Sequence, residues 1–102
     1  MLIKKGSKLY VRIDYKVEGK DMTEKDFEEH LDYVRNIAGE RYFIGGGFSN
    51  IDGGMCIFEA ENFEEAQKCA QNDPIMERRI YRYELYEWDL VVLSDNSENI
   101  VD

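Results

Sequence analysis

The predicted order of elements, strand, helix, strand, strand, helix, strand, assigns this chain to the α+β class. It implies a ferredoxin-like βαββαβ fold, a four-stranded antiparallel sheet with two helices on one face. Three observations lead there. Lys8 to Tyr15 alternates apolar and polar side chains in strand fashion. Two later segments repeat apolar residues at helical spacing behind residues that suit an N-cap. A long run from Ile80 to Leu93 is rich in Tyr, Trp and Val, which favour a pleated surface. At 102 residues the chain is expected to form one domain, with a core over about 8–93 and a polar, acidic, frayed tail over 94–102.

The first strand places Leu9, Val11, Ile13 and Tyr15 on one side and Lys8, Tyr10, Arg12 and Asp14 on the other. A polar loop follows, broken at Glu18-Gly19-Lys20, and Thr23-Glu24-Lys25-Asp26 resembles a capping box with Asp in place of the usual Glu. The first helix then runs to Ala38 and stops at Gly39. A second strand is expected over Tyr42 to Gly46. Asp52-Gly53 signals a hairpin into a third strand, Met55 to Ala60, antiparallel to the second. Asn62 caps a second helix, with Glu65 three residues on and Phe63, Ala66, Cys69 and Ala70 along one arc. Asp73-Pro74 ends it, because the residue before a proline is driven from the helical region. A turn through Met76 to Arg79 leads into the final strand. There Tyr81, Tyr83 and Leu85 point one way, and Tyr86, Trp88 and Leu90 the other. Both faces of the sheet therefore carry large apolar groups, and a second copy of the chain is the simplest cover for the face without helices.

Composition removes several function classes. With 22 acidic and 13 basic residues the net charge is −9, which opposes binding to nucleic acid or anionic membranes. No apolar run has the length of a signal or membrane segment, so a cytoplasmic, soluble protein is expected. Cys56 and Cys69 are not spaced as a C-x-x-C pair and read as reduced core residues. One histidine and two separated cysteines offer no metal-ligand cluster, and no cofactor motif is present, so neither a metal nor a cofactor is expected.

His30, the single histidine, falls on the apolar arc of the first helix beside Phe27, Leu31, Val34 and Ile37. There it faces the interior or a cavity, where a nearby carboxylate can tune an imidazole for proton transfer, although a hydrogen-bonded histidine at the edge of a core fits the same pattern. Asp73 is the candidate partner, with a local turn role as its plainer alternative. Gly45-Gly46-Gly47 lets backbone approach a ligand closely, and Ser49 and Asn50 lie beside it, so Gly46, Gly47 and Ser49 are candidate substrate-binding residues. The glycine run lacks the strand-to-helix context of a phosphate loop and equally suits a flexible hairpin. Arg78, Arg79 and Arg82, interleaved with Tyr81 and Tyr83, suit an anionic or aromatic ligand or simply a solvated strand face.

His30-Leu31, the Gly46-Gly47 turn, Glu64-Glu65-Ala66 and Asp73-Pro74 together resemble the YCII-related (YciI-like) family over roughly Leu9 to Val92. The resemblance implies a ferredoxin-like domain forming a dimeric α/β barrel, with a histidine and an aspartate, here His30 and Asp73, in an enzymatic role. The chain departs from the family pattern at Gly-Gly-Gly-Phe, where Gly-Pro is common, and at Ile75, where a bulky aromatic often follows Asp-Pro. The expectation is a homodimeric, cofactor-independent acid/base enzyme of isomerase or lyase type acting on a small molecule. The alternative is a noncatalytic dimeric domain that binds a small ligand or supports another protein.

Overall fold

The computed structural model describes residues 3–4, 8–94 and 100–101. In chain order the elements are β1 (Ile3–Lys4), β2 (Lys8–Lys16), α1 (Glu24–Glu40), β3 (Phe43–Gly47) and β4 (Gly54–Glu59). They continue with α2 (Phe63–Gln71), α3 (Pro74–Glu77), β5 (Tyr81–Asp89) and β6 (Ile100–Val101). The main sheet has the order β3-β4-β2-β5 with every pairing antiparallel. This is the expected ferredoxin-like arrangement, with the first and third strands of the repeat in the centre. β1 and β6 form a separate parallel pair, with Ile100 opposite Ile3 and Val101 opposite Lys4. Positions 95–99 and 102 of the predicted tail lie outside the described residues.

The capping box forms as the sequence indicates. Thr23 Oγ1 accepts from the Asp26 N–H at 3.0 Å, and Asp26 accepts from the Thr23 N–H at 3.0 Å. Those bonds, led by the Thr23 backbone, hold the Asp26 carboxyl below its usual range. The helix runs past Gly39 to Glu40 and closes when the Arg41 N–H reaches Ile37 O, without a left-handed glycine. Asn62 Oδ1 caps α2 by accepting from the Glu65 N–H at 2.8 Å.

Two expectations need correction after α2. The segment read as a turn contains a third, one-turn helix, α3, because Asp73 caps it and Pro74 occupies its first turn, where a missing N–H costs nothing. The last strand also ends at Asp89, short of Leu93.

The helix-facing side of the sheet holds Tyr10, Cys56 and Phe58 packed against Ala66 of α2, with Phe43, Ala60, Cys69 and Leu85 around them. Small residues on α2, Ala66 and Ala70, let it approach the sheet closely, and both are fully buried. In contrast, α1 contains no fully buried residue, because its apolar face spans open space over the other end of the sheet. The opposite sheet face carries Ile44, Met55, Tyr86 and Trp88, all exposed, as the alternation in β4 and β5 requires.

Gly53 has φ +115°, and a Cβ there would lie 2.5 Å from Asp14 O, whereas a Cβ on Gly46 meets nothing within 4 Å. Gly53→Ala is expected to lower unfolding free energy by about 1–3 kcal/mol. Gly46→Ala is expected to stay within about 0.5 kcal/mol of the native protein. Paired urea denaturation curves check both; equal midpoints for the two variants would contradict the strain argument.

Candidate active site

Glycine supplies the room for a cavity. Gly45 and Gly47 on β3 and Gly54 on β4 stand on the helix-facing side of the sheet, where side chains would otherwise meet α1. Close strand approach fixes two of them, since a Cβ on Gly45 would fall 2.8 Å from Cys56 Cβ and one on Gly54 2.7 Å from Gly46 O. The space left is about 300 Å³, at the small end for a ligand pocket. Its roof is Phe27, His30, Leu31 and Val34 from α1; its floor and walls include Arg12, Asp14, Gly45–Gly47, Gly54, Cys56, Ile75 and Tyr81.

His30 reaches this wall because it lies on the apolar arc of α1, as its sequence position predicts. Its Nδ1 stands 2.9 Å from Asp73 Oδ1 and 2.8 Å from Oδ2, so the two residues, 43 positions apart in sequence, are in contact. Asp73 is fully buried and His30 retains 17% side-chain exposure. Asp73 also plays the local role anticipated for it, since Oδ1 accepts from the Ile75 N–H at 3.2 Å and so caps α3. The cap fixes the carboxylate that the imidazole meets. With Nδ1 donating to Asp73, Nε2 is the nitrogen with no protein partner among the described residues.

Two site residues escape sequence reasoning. Arg12 and Asp14 alternate with apolar neighbours, and that pattern ordinarily places the polar side of a strand in water. Instead they face the helices, with only 4% and 8% exposure. Arg12 Nε donates to Asp14 Oδ1 at 2.7 Å and Nη2 to Oδ2 at 2.8 Å, a bidentate pair. Nη2 also lies 3.1 Å from Asp73 Oδ2. Burial works against the Arg12 charge, but the groups around it, the Asp14 and Asp73 carboxylates among them, hold its pKa above the usual value. Burial raises the Asp14 carboxyl despite Arg12. The available signal was the side's composition: Tyr10 shares it, which is unusual for a wholly solvated face.

Other groups near the cavity are held neutral. Burial pushes the Cys56 thiol up to about 11, well removed from thiolate chemistry at neutral pH. The Tyr33 hydroxyl donates to Cys69 O at 2.7 Å, and burial raises it to about 12. Gly46 and Gly47 line the cavity, while Ser49 is exposed in the hairpin turn and outside its lining. The arginine group disperses. Arg78 pairs with Asp26 and Glu29, Arg82 lies 4.4 Å from the Tyr15 ring centre, and Arg79 sits at φ 59° in the turn before β5. Among the described residues no group of three or more His, Cys, Asp or Glu side chains could hold a metal ion, and no helix is long and apolar enough to cross a membrane.

Comparison with known proteins agrees with this architecture. The family model for the YCII-related domain matches residues 8–89. Among solved structures, the chain is similar to 5-chloro-2-hydroxyhydroquinone dehydrochlorinase (TftG) from Burkholderia phenoliruptrix AC1100, in complex with 2,5-dihydroxybenzoquinone. The TM-score is 0.67 at 19% identity, covering 78% of this chain and 92% of that one. That likeness establishes the ferredoxin-like fold. Comparison with curated proteins returned no match.

The Nδ1 contact fixes a tautomer. In ¹⁵N-labelled protein at alkaline pH, the neutral His30 ring is expected to carry its proton on Nδ1 in the native chain. Asp73→Asn, whose amide can donate as well as accept, should shift population toward the Nε2–H form. Long-range ¹H–¹⁵N correlation spectra distinguish the two. A native ring already protonated on Nε2 would contradict the geometry.

Proposed function

The chain belongs to the YCII-related family, and from that premise we propose that it is a small-molecule acid/base enzyme of isomerase or lyase type. The observation that carries this reading is the His30–Asp73 contact at the wall of a ligand-sized cavity. Asp73 orients the ring and stabilises the imidazolium, and Nε2 gives or takes the proton. The cavity's apolar roof of Phe27, Leu31 and Val34 suits a small, largely apolar body such as a hydroxylated ring. The neighbouring dehydrochlorinase, described with a dihydroxybenzoquinone, supports a substrate of that kind. Gly46 and Gly47, which line the cavity, would bear on the bound molecule through their backbone, whereas Ser49 stands outside the lining. The reaction needs no cofactor, because proton transfer at an activated carbon requires only a positioned acid and base. We place it in the cytoplasm, consistent with two free cysteines.

We also assign the open sheet face to a second copy of the chain. Ile44, Met55, Tyr86 and Trp88 are exposed on one surface, and a two-fold pairing of such faces buries both at once, giving a dimeric barrel.

Solvent deuterium incorporation into a panel of small hydroxylated and enolisable rings, read by NMR, tests the catalytic reading. His30→Ala and Asp73→Asn are each expected to slow exchange about 10²–10⁴-fold. Unchanged exchange in both variants would sink it and leave the noncatalytic ligand-binding domain. For the dimer, sedimentation is expected to give twice the chain mass for native protein and the single-chain mass for Trp88→Glu. A native monomer would refute the pairing.

A further inference from the structure

Four ionisable side chains form one connected series behind the cavity: Asp14, Arg12, Asp73 and His30, with successive contacts of 2.7, 3.1 and 2.8 Å. Its two ends, Asp14 on β2 and His30 on α1, both line the cavity, whereas Asp73 is wholly enclosed. One guanidinium stands against two carboxylates. If both carboxylates are ionised and the imidazole is neutral, the series carries one uncompensated negative charge, which burial penalises. A single proton removes it. Asp73 is a poor place for that proton, because its oxygens already accept from the Ile75 N–H, Arg12 and His30. The remaining places are the imidazole and the Asp14 carboxylate, which accepts only from Arg12, one bond at each oxygen, and whose affinity for a proton burial raises against the lowering effect of that pair.

The surroundings add no competing charge. From β4, Cys56 faces Arg12; from β5, Tyr81 faces Asp14; from α1, Tyr33 lies near Asp73 and Arg12. Burial raises the pKa of all three, so each stays neutral at physiological pH. Asp52 acts on Tyr81, and Glu77 on Tyr33.

We propose that Asp14 and His30 share one proton and act as an acid and base pair across the cavity on an uncharged, enolisable substrate. This rests on the reading of His30 as the proton-transfer group and adds its counterpart. With Asp14 protonated and His30 neutral, Nε2 takes a proton from a substrate C–H bond. The pair of electrons released forms a new double bond to the adjacent carbon. The π pair displaced from that carbon's original double bond takes the proton of the Asp14 hydroxyl at its far atom. One C–H and one O–H bond break, one N–H and one C–H or O–H bond form, and the substrate is isomerised by a 1,3-proton shift. The series is neutral before and after, with its proton moved from Asp14 to His30. Exchange with solvent, or a turnover in the opposite sense, returns it.

The test follows ¹³C and ¹⁵N signals of the labelled native protein through a pH titration, reading the Asp14 carboxyl carbon and the His30 ring nitrogens, which the single histidine makes unambiguous. Sharing predicts that each group reports both protonation steps, as coupled sites do. In Asp14→Asn the His30 curve is expected to collapse to one step displaced toward lower pH. An Asp14 signal with one acid step, and no inflection where His30 titrates, overturns the proposal. The native titration decides this even if the variant fails to fold. Such a result would leave the His30–Asp73 reading to its own tautomer and exchange tests, so the two fail separately.

Discussion

The Arg12 guanidinium is the constraint on which the site depends. It sits on a central strand, is almost without solvent, and binds two carboxylates from different parts of the chain. A buried arginine without counter-ions would cost several kcal/mol, so Asp14 and Asp73 are required by Arg12 as much as they require it. Asp14 is a near neighbour on the same face of the same strand. Asp73 arrives through the α2–α3 junction, where capping and Pro74 set its backbone. His30 completes the series from α1. Three elements that share no backbone hydrogen bonds are thus tied together at their charged ends.

This arrangement divides the helix-facing side of the sheet into two regions. At one end α2 lies on Tyr10 and Phe58 through alanines, and the space is filled with carbon. At the other, glycine-bearing strands and a helix with no fully buried residue enclose a void whose inner wall is ionic. The closely packed end supplies hydrophobic stabilisation, and the ionic end holds its charged groups at some cost in burial. The long α1 needs its capping box and its surface pairs with Arg78, since its apolar stripe gains less than that of a fully seated helix.

Much of the fold was legible because its signals are local. Alternation in β2, the Thr23 and Asn62 caps and the Asp52-Gly53 turn are each decided within a few residues. His30 was legible as a residue facing the interior for the same reason: a histidine on an apolar arc is visible in one helix. The Asp73 candidate followed from resemblance and chemistry, but contact between residues 43 positions apart is a property of the assembled fold. Arg12 and Asp14 were hidden by the rule that reveals strands, which assigns polar alternation to water. The rule fails when the charges on one face satisfy each other and a carboxylate from another element completes the set. α3 was hidden because Asp-Pro both ends one helix and begins the next.

The location of the ionic series has an evolutionary consequence. Arg12 and Asp14 hang from a central strand and Asp73 from a helix cap, positions tied by backbone bonds, while His30 is anchored on α1 by its contact with Asp73. The other surfaces that shape the cavity belong to the α1 roof and to β3, an edge strand with a hairpin at its tip. Substitution at Phe27, Leu31 or Val34, or a change of length between Phe48 and Asp52, alters which molecules fit without moving the charged groups. On the proposed function, descendants of such a scaffold can exchange one substrate for another while inheriting the same proton chemistry.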